Sequence, residues 1–196
     1  MEDYSHTQNL YDFLGVRRKA DQDEIKSAYR NKLKEWHPDK NPHKKEAAEE
    51  MTKLLNQAYE ILSDPEQRKN YDKMLRFTEG KKINDINDDT FWSKLSKVSP
   101  GLKATVDNAI QLYSLFKDTI KGAYKLHPLT FGLIAGGLLY FITPMDLIPD
   151  FLPFIGYFDD MVILTTIVNS LQKELEDYRK WKQTISGGTD GTTTGV

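Results

Sequence analysis

HPDKNP, residues 37–42, is the stretch on which the fold turns. Pro38 and Pro42 disfavour helical backbone at His37 and Asn41, so a helix must stop before this stretch and another must start after it. Working back, Ile25, Tyr29, Leu33 and Trp36 recur at helical spacing. Asp21 stands three residues before Glu24, a capping-box arrangement that starts this helix at about Gln22. Working forward, residues 45–62 place Ala47, Met51, Leu54, Leu55, Ala58, Ile61 and Leu62 on one broad face of a second long helix. SDPEQRKNYDKML, residues 63–75, restarts a helix, with Asp64 as its cap and Pro65 at its first position. The expected unit is a short helix near residues 10–14, two long antiparallel helices and a short fourth. Together these four are expected to bury their own apolar face.

The totals exclude several classes. The 196 residues carry a net charge of −2, so the chain as a whole has no pull toward nucleic acid or anionic lipid. There are no cysteines, which rules out a disulfide framework, thiolate zinc sites and thiol catalysis. The start MEDYSHTQNL lacks a basic stretch followed by an apolar core, so no secretory signal is expected. No nucleophile–base pair, phosphate loop or redox motif is present, so neither an enzyme nor a cofactor is expected. His37, Asp39 and His43 have no further His or Cys to complete a shell, and no metal is expected there.

The order LYDFLGV, EIKSAYR, HPD and NQAYEILSDPEQRKNYD, over about residues 9–75, resembles a J domain, the module named after DnaJ. The resemblance implies binding to a DnaK-type heat-shock chaperone and stimulation of its ATP hydrolysis. The residues suit that task. Pro38 fixes the loop so that His37 and Asp39 project outward, where Asp39 would seek a cation on a partner. Lys26, Arg30 and Lys34, spaced by four, form a basic stripe that would steer toward an acidic surface. The expected chaperone-binding set is His37, Pro38, Asp39, Lys26, Tyr29, Arg30 and Lys34. Two departures stand out: Asn31 replaces the family's usual second basic residue, and Lys32 stands where leucine is common. No Gly/Phe-rich stretch and no paired-cysteine module follows, so the remaining segment is expected to determine where the chaperone is recruited.

That segment has another character. Residues 77–101 are polar, carry Gly80 and Pro100–Gly101, and are expected as a linker in which DDTFWSKL could form one helical turn or dock. Leu102, Val106, Ala109, Ile110, Tyr113, Phe116, Ile120 and Tyr124 form one helical stripe. YFITPMDLIPDFLPFIGYFDDMVIL resembles the YkvA-like family, a small domain without established chemistry, over about residues 117–171. Members are commonly associated with membranes by prediction. Residues 129–145 give seventeen uncharged positions, about 25 Å as a helix and short of a ~30 Å hydrocarbon core. The return leg would bury Asp159 and Asp160 at roughly 2.5–3.5 kcal/mol each. A shallow hairpin with both basic flanks, Lys117, Lys121, Lys125 and Lys173, Arg179, Lys180, Lys182, on the cytosolic side fits better than two spans. The alternative is a water-soluble bundle with GLIAGGLLYF as its buried central helix. Asp146, Asp150, Asp159 and Asp160 form a candidate polar cluster, read either as helix caps and loop residues or as a cation or proton site.

The expected fold is therefore all-α. A J domain occupies residues 1–76, a polar linker 77–101, a YkvA-like helical domain, membrane-associated through a hairpin, 102–185, and a disordered tail 186–196. The expected function is a cytoplasm-facing co-chaperone held at a membrane surface. Its competitors are an ion-handling membrane protein and a soluble adaptor, each using the J domain to recruit chaperone.

Overall fold

α1 (Leu10–Leu14) opens the N-terminal unit because Asn9 accepts the N–H groups of Tyr11 and Asp12, both at 3.0 Å. Gly15 closes it at φ +77°, a left-handed position that a residue with a Cβ adopts only under strain. α2 (Gln22–Glu35) begins with the full capping box: Asp21 accepts from the Glu24 N–H at 2.8 Å, and Glu24 accepts from the Asp21 N–H at 3.0 Å. α3 (Lys45–Ser63) returns alongside it. Gln22 donates to the Leu62 carbonyl and the Tyr29 hydroxyl to Asn56, which makes the pair antiparallel. α4 (Pro65–Thr78) starts with Asp64 accepting the N–H groups of Glu66 and Gln67 at 3.0 and 2.8 Å.

α1 is fastened to α4 by buried and part-buried polar contacts. The Tyr71 hydroxyl accepts the Leu10 N–H at 2.9 Å, and the Tyr11 hydroxyl donates to Asp72 at 2.9 Å. Arg68 donates to Tyr11 and to the carbonyls of Arg18 and Ala20. Burial pushes the Tyr11 phenol up to about 12, so this knot stays protonated far above neutral pH.

The computed structural model describes residues 9–98, 103–143 and 155–187, and no strand occurs among them. Within residues 77–101 lies α5 (Asp88–Leu95), capped by Asn87, whose side chain accepts from the Thr90 N–H at 3.0 Å. Phe91 is fully buried there, stacked on Tyr113 at 3.9 Å between ring centroids. Asp88 accepts from Lys117 at 2.7 Å and from the Tyr113 hydroxyl at 2.8 Å. This segment docks through buried Phe91 and Ile86 and the ion pair of Asp88 with Lys117.

α6 (Lys103–Ile120), α7 (Pro128–Ile142), α8 (Ile155–Ser170) and α9 (Gln172–Gly187) complete the order. α7 runs through the centre, packed against α4, α5, α6 and α8, with Phe131, Ile134 and Leu138 fully buried. Its fifteen residues span about 22 Å, and no described helix is long and apolar enough to cross a membrane. The apolar run expected to meet lipid is met by protein.

The N-terminal helices do not bury their whole apolar face among themselves. Met74 packs on Gly136 of α7, where a Cβ would lie 2.9 Å from the Met74 methyl. Phe77 meets Tyr140 edge-on at 5.6 Å, and Phe13 meets His127, the residue that caps α7, at 6.4 Å. Lys53 of α3 reaches Glu174 of α9 at 2.7 Å, and Glu174 also accepts from the Tyr124 hydroxyl at 3.1 Å. A single hydrophobic core runs through both halves.

Candidate functional site

The turn between α2 and α3 is built from two successive 3-10 turns, Pro38–Lys40 and Pro42–Lys44, each started by its proline. His37 is extended (φ −60°, ψ 134°) and acts as the cap of the first, its Nδ1 accepting the Asp39 N–H at 3.2 Å. In the neutral ring the proton then sits on Nε2, which leaves a donor for a partner. Nδ1 also lies 3.5 Å from the Asp39 carboxylate, whose side chain is 88 % exposed. The Lys40 and Asn41 N–H groups return to the His37 and Pro38 carbonyls at 2.9 and 3.0 Å.

Asn41 locks the turn from beneath. Its side-chain amide donates to the Glu35 carbonyl at 2.8 Å and to the His37 carbonyl at 3.0 Å. The Glu35 carbonyl is one that the end of α2 leaves without a helical partner, and the His37 carbonyl is shared with the Lys40 N–H. Its sequence signal is a polar amide directly before Pro42, a few residues beyond the end of α2.

Lys26, Arg30 and Lys34 are exposed along α2 and form no ion pair among the described residues. They line a shallow groove together with Asp23, Ser27 and Asn31. Tyr29, expected in the same set, is half-buried: its ring stacks on Tyr59 at 4.2 Å and its hydroxyl is held by Asn56 at 2.8 Å. It ties α2 to α3 while its neighbours stay open. Lys32 turns away from the stripe and lies over the Phe13 ring at 5.7 Å. A lysine in place of leucine thus still covers the apolar surface of α1, through its stem.

The C-terminal helices approach from another side. α7 and α8 pack on α4, and α8 also touches α3. His37, Asp39 and the three cations of α2 remain exposed.

The aspartates divide differently. Asp146 and Asp150 lie outside the described residues. Asp159 and Asp160 lie within α8. Among the described residues no group of His, Asp or Glu is placed to hold a metal ion, His37, Asp39 and His43 included.

A second polar cluster, not anticipated, joins α6 to α9. Tyr178 donates to Asp118 at 2.5 Å, Lys182 reaches Asp118 at 3.1 Å and Tyr178 at 2.8 Å, and Ser114 contacts both Tyr178 and Lys182. The spacing Ser114/Asp118 and Tyr178/Lys182, each four apart, was its sequence signal. A serine beside a lysine and a tyrosine suggests nucleophile activation, but the electrostatics oppose it. Burial and the Asp118 bond raise the Tyr178 phenol above its ordinary value. For Lys182, burial works against the charge, yet bonds to Tyr178 and Asp118 outweigh it and raise the ammonium. Neither group is a base at neutral pH, and the cluster holds two helices together.

Residues 9–72, spanning α1 to most of α4, match the DnaJ domain family, and residues 130–166 match a protein family of unknown function, DUF1232. The first segment is a J domain and the second a YkvA-like domain. The chaperone protein DnaJ of Dichelobacter nodosus is 58 % identical over 65 residues, which cover 33 % of this chain and 17 % of that one. Those of Thermosipho melanesiensis and Thermotoga maritima are 52 % and 49 % identical over 65 residues, again 33 % of this chain and 17 % and 18 % of theirs. The chain thus spans less than a fifth of the length of these relatives, and the likeness is confined to the J domain. No solved structure matches.

Proposed function

We propose that this chain is a co-chaperone whose J domain recruits a DnaK-type heat-shock chaperone and stimulates its ATP hydrolysis. One observation supports this reading above the others: the C-terminal helices dock on α3 and α4 and leave the Lys26–Arg30–Lys34 stripe, His37 and Asp39 exposed together. A partner with an acidic surface and a cation placed for Asp39 would meet all of them at once. In this reading the chain does no bond chemistry of its own and acts on the partner's ATPase. Single-turnover ATP hydrolysis by a bacterial DnaK, with and without the full chain, tests it. Stimulation by the wild type and its loss in Asp39→Asn are expected; equal rates with and without the chain reject the reading.

The C-terminal domain supplies location in this proposal, at the cytoplasmic face of a membrane and peripherally. The apolar side chains of α7 are engaged by protein, which favours attachment through exposed cations, with Lys121, Lys125, Lys173, Arg179 and Lys180 as the contact set. Lys117 and Lys182 are occupied by Asp88 and Asp118. Sedimentation with anionic vesicles, expected at low salt and lost at high salt, tests this part independently; no sedimentation at low salt rejects it.

A further inference from the structure

α6 runs one turn past the core that it helps to build. Tyr113 and Phe116 are buried, while Ile120, next in the same stripe, is 45 % exposed. Residues 120–123 are all exposed, and the chain turns through Gly122 at φ +73°, where a Cβ would meet nothing within 4 Å. The end of α6 is thus a convex knob. Its backbone is closed on itself: the N–H groups of Lys121 and Gly122 donate to the Lys117 and Thr119 carbonyls, and those of Ala123 and Tyr124 to the Asp118 carbonyl, at 2.9–3.2 Å. None of these four donors would be stripped of a partner on leaving water.

Three lysines stand around Ile120. Lys121 and Lys125 flank it in sequence, and Lys173 is brought alongside by the bond from the Tyr124 hydroxyl to Glu174. All three are exposed and form no ion pair among the described residues. Asp118 is engaged by Tyr178 and Lys182, and Glu174 by Lys53 and Tyr124. Exposed Asp177 also acts on Tyr124, one free acid set against three free lysines.

An apolar side chain at the tip of a convex, cationic knob complements a soft anionic surface. An acidic protein would have to offer a pocket shaped to Ile120, whereas a bilayer yields around what enters it. We propose that Ile120 anchors the chain in an anionic bilayer, its side chain in the headgroup–acyl boundary and Lys121, Lys125 and Lys173 on lipid phosphates. This anchor presupposes the peripheral attachment proposed above and gives it an apolar component and an orientation.

The chain has no cysteine, so one nitroxide label can be placed through Ile120→Cys in the full chain. On phosphatidylglycerol vesicles at low salt this label should become accessible to oxygen and shielded from a water-soluble nickel chelate. A label at Ile185→Cys, exposed near the far end of α9, should stay in water. Ile120→Asn removes the apolar side chain without adding charge; it should weaken vesicle binding about fivefold and leave the thermal melt unchanged. Polyglutamate stands in for an acidic protein surface, and binding it as tightly as vesicles, with the same loss in Ile120→Asn, would overturn the lipid assignment. Equal sedimentation of wild type and Ile120→Asn, or a residue 120 label that stays in water on sedimented protein, would overturn the anchor and leave the cationic attachment standing. A wild type that does not sediment at low salt rejects the attachment and the anchor with it.

Discussion

α2 and α7 are almost equal in length, fourteen and fifteen residues, and opposite in every other respect. α2 buries one residue fully, Ile25, and presents lysines and an arginine to solvent. α7 buries eleven and carries no charge. The difference separates two jobs that a small protein must do: one helix is held in place so that its outer face is available, and the other is used up in holding. Activity and stability should therefore respond to mutation in different helices.

The largest effect belongs to α7. Leu138→Arg, at a fully buried position, puts an unpaired charge into the common core and should cost about 5 kcal/mol or more, abolishing the cooperative melt followed by circular dichroism. A normal melt would mean that α7 faces something other than protein. Next comes His37→Gln, expected to remove at least nine-tenths of ATPase stimulation (about 1.4 kcal/mol or more) while the melt stays within about 0.5 kcal/mol of wild type. Undiminished stimulation by that folded variant would remove the loop from the function. Reversal of the stripe, Lys26→Glu with Arg30→Glu, should weaken chaperone binding about tenfold and flatten its salt dependence, again with little change in stability. An unchanged salt slope in calorimetric titration would make the stripe a solvated face. The smallest effect is at the seam: Lys53→Ala removes the pair with Glu174 and should cost under about 1 kcal/mol, because both side chains are partly exposed (28 and 17 %). A chemical melt that splits into two transitions would show this pair to hold the domains together, against expectation.

The same contrast explains what could be read in advance. α2, α3 and α4 were legible because each has a start signal and a one-sided apolar pattern, and Asp21, Glu24, Asp64 and Pro65 act as their types suggest. One phase error survives: Ala47 was placed on the buried face, but it is exposed and Ala48 is buried. Two alanines in sequence carry no pattern to choose between them. α7 could not be assigned to lipid or protein from its residues, because a helix apolar on every side has no preferred face; only its neighbours decide. α5 was less legible for the opposite reason, since a mostly polar segment with few buried side chains, Phe91 and Ile86 among them, has no periodicity to detect. α9 is less legible because its buried Leu175 and Tyr178, with Leu171 just before it, stand four and three apart among charged residues. In the site, loop and stripe were visible as motifs, while the Asn41 bonds depend on where a helix stops to within a residue.

Met74 seated on Gly136 also fixes a direction. Were the J domain free on a flexible tether, anything held by the C-terminal half would be offered to the chaperone from a diffuse cloud of positions. Through a shared core the offer is made along one line, with His37 at a constant distance and angle from whatever the far surface grips. Effective concentration then becomes all-or-none: very high for a client whose site falls on that line, and close to zero for one that does not. On the proposed reading, a co-chaperone built like this would select its clients by their size and placement as much as by their chemistry.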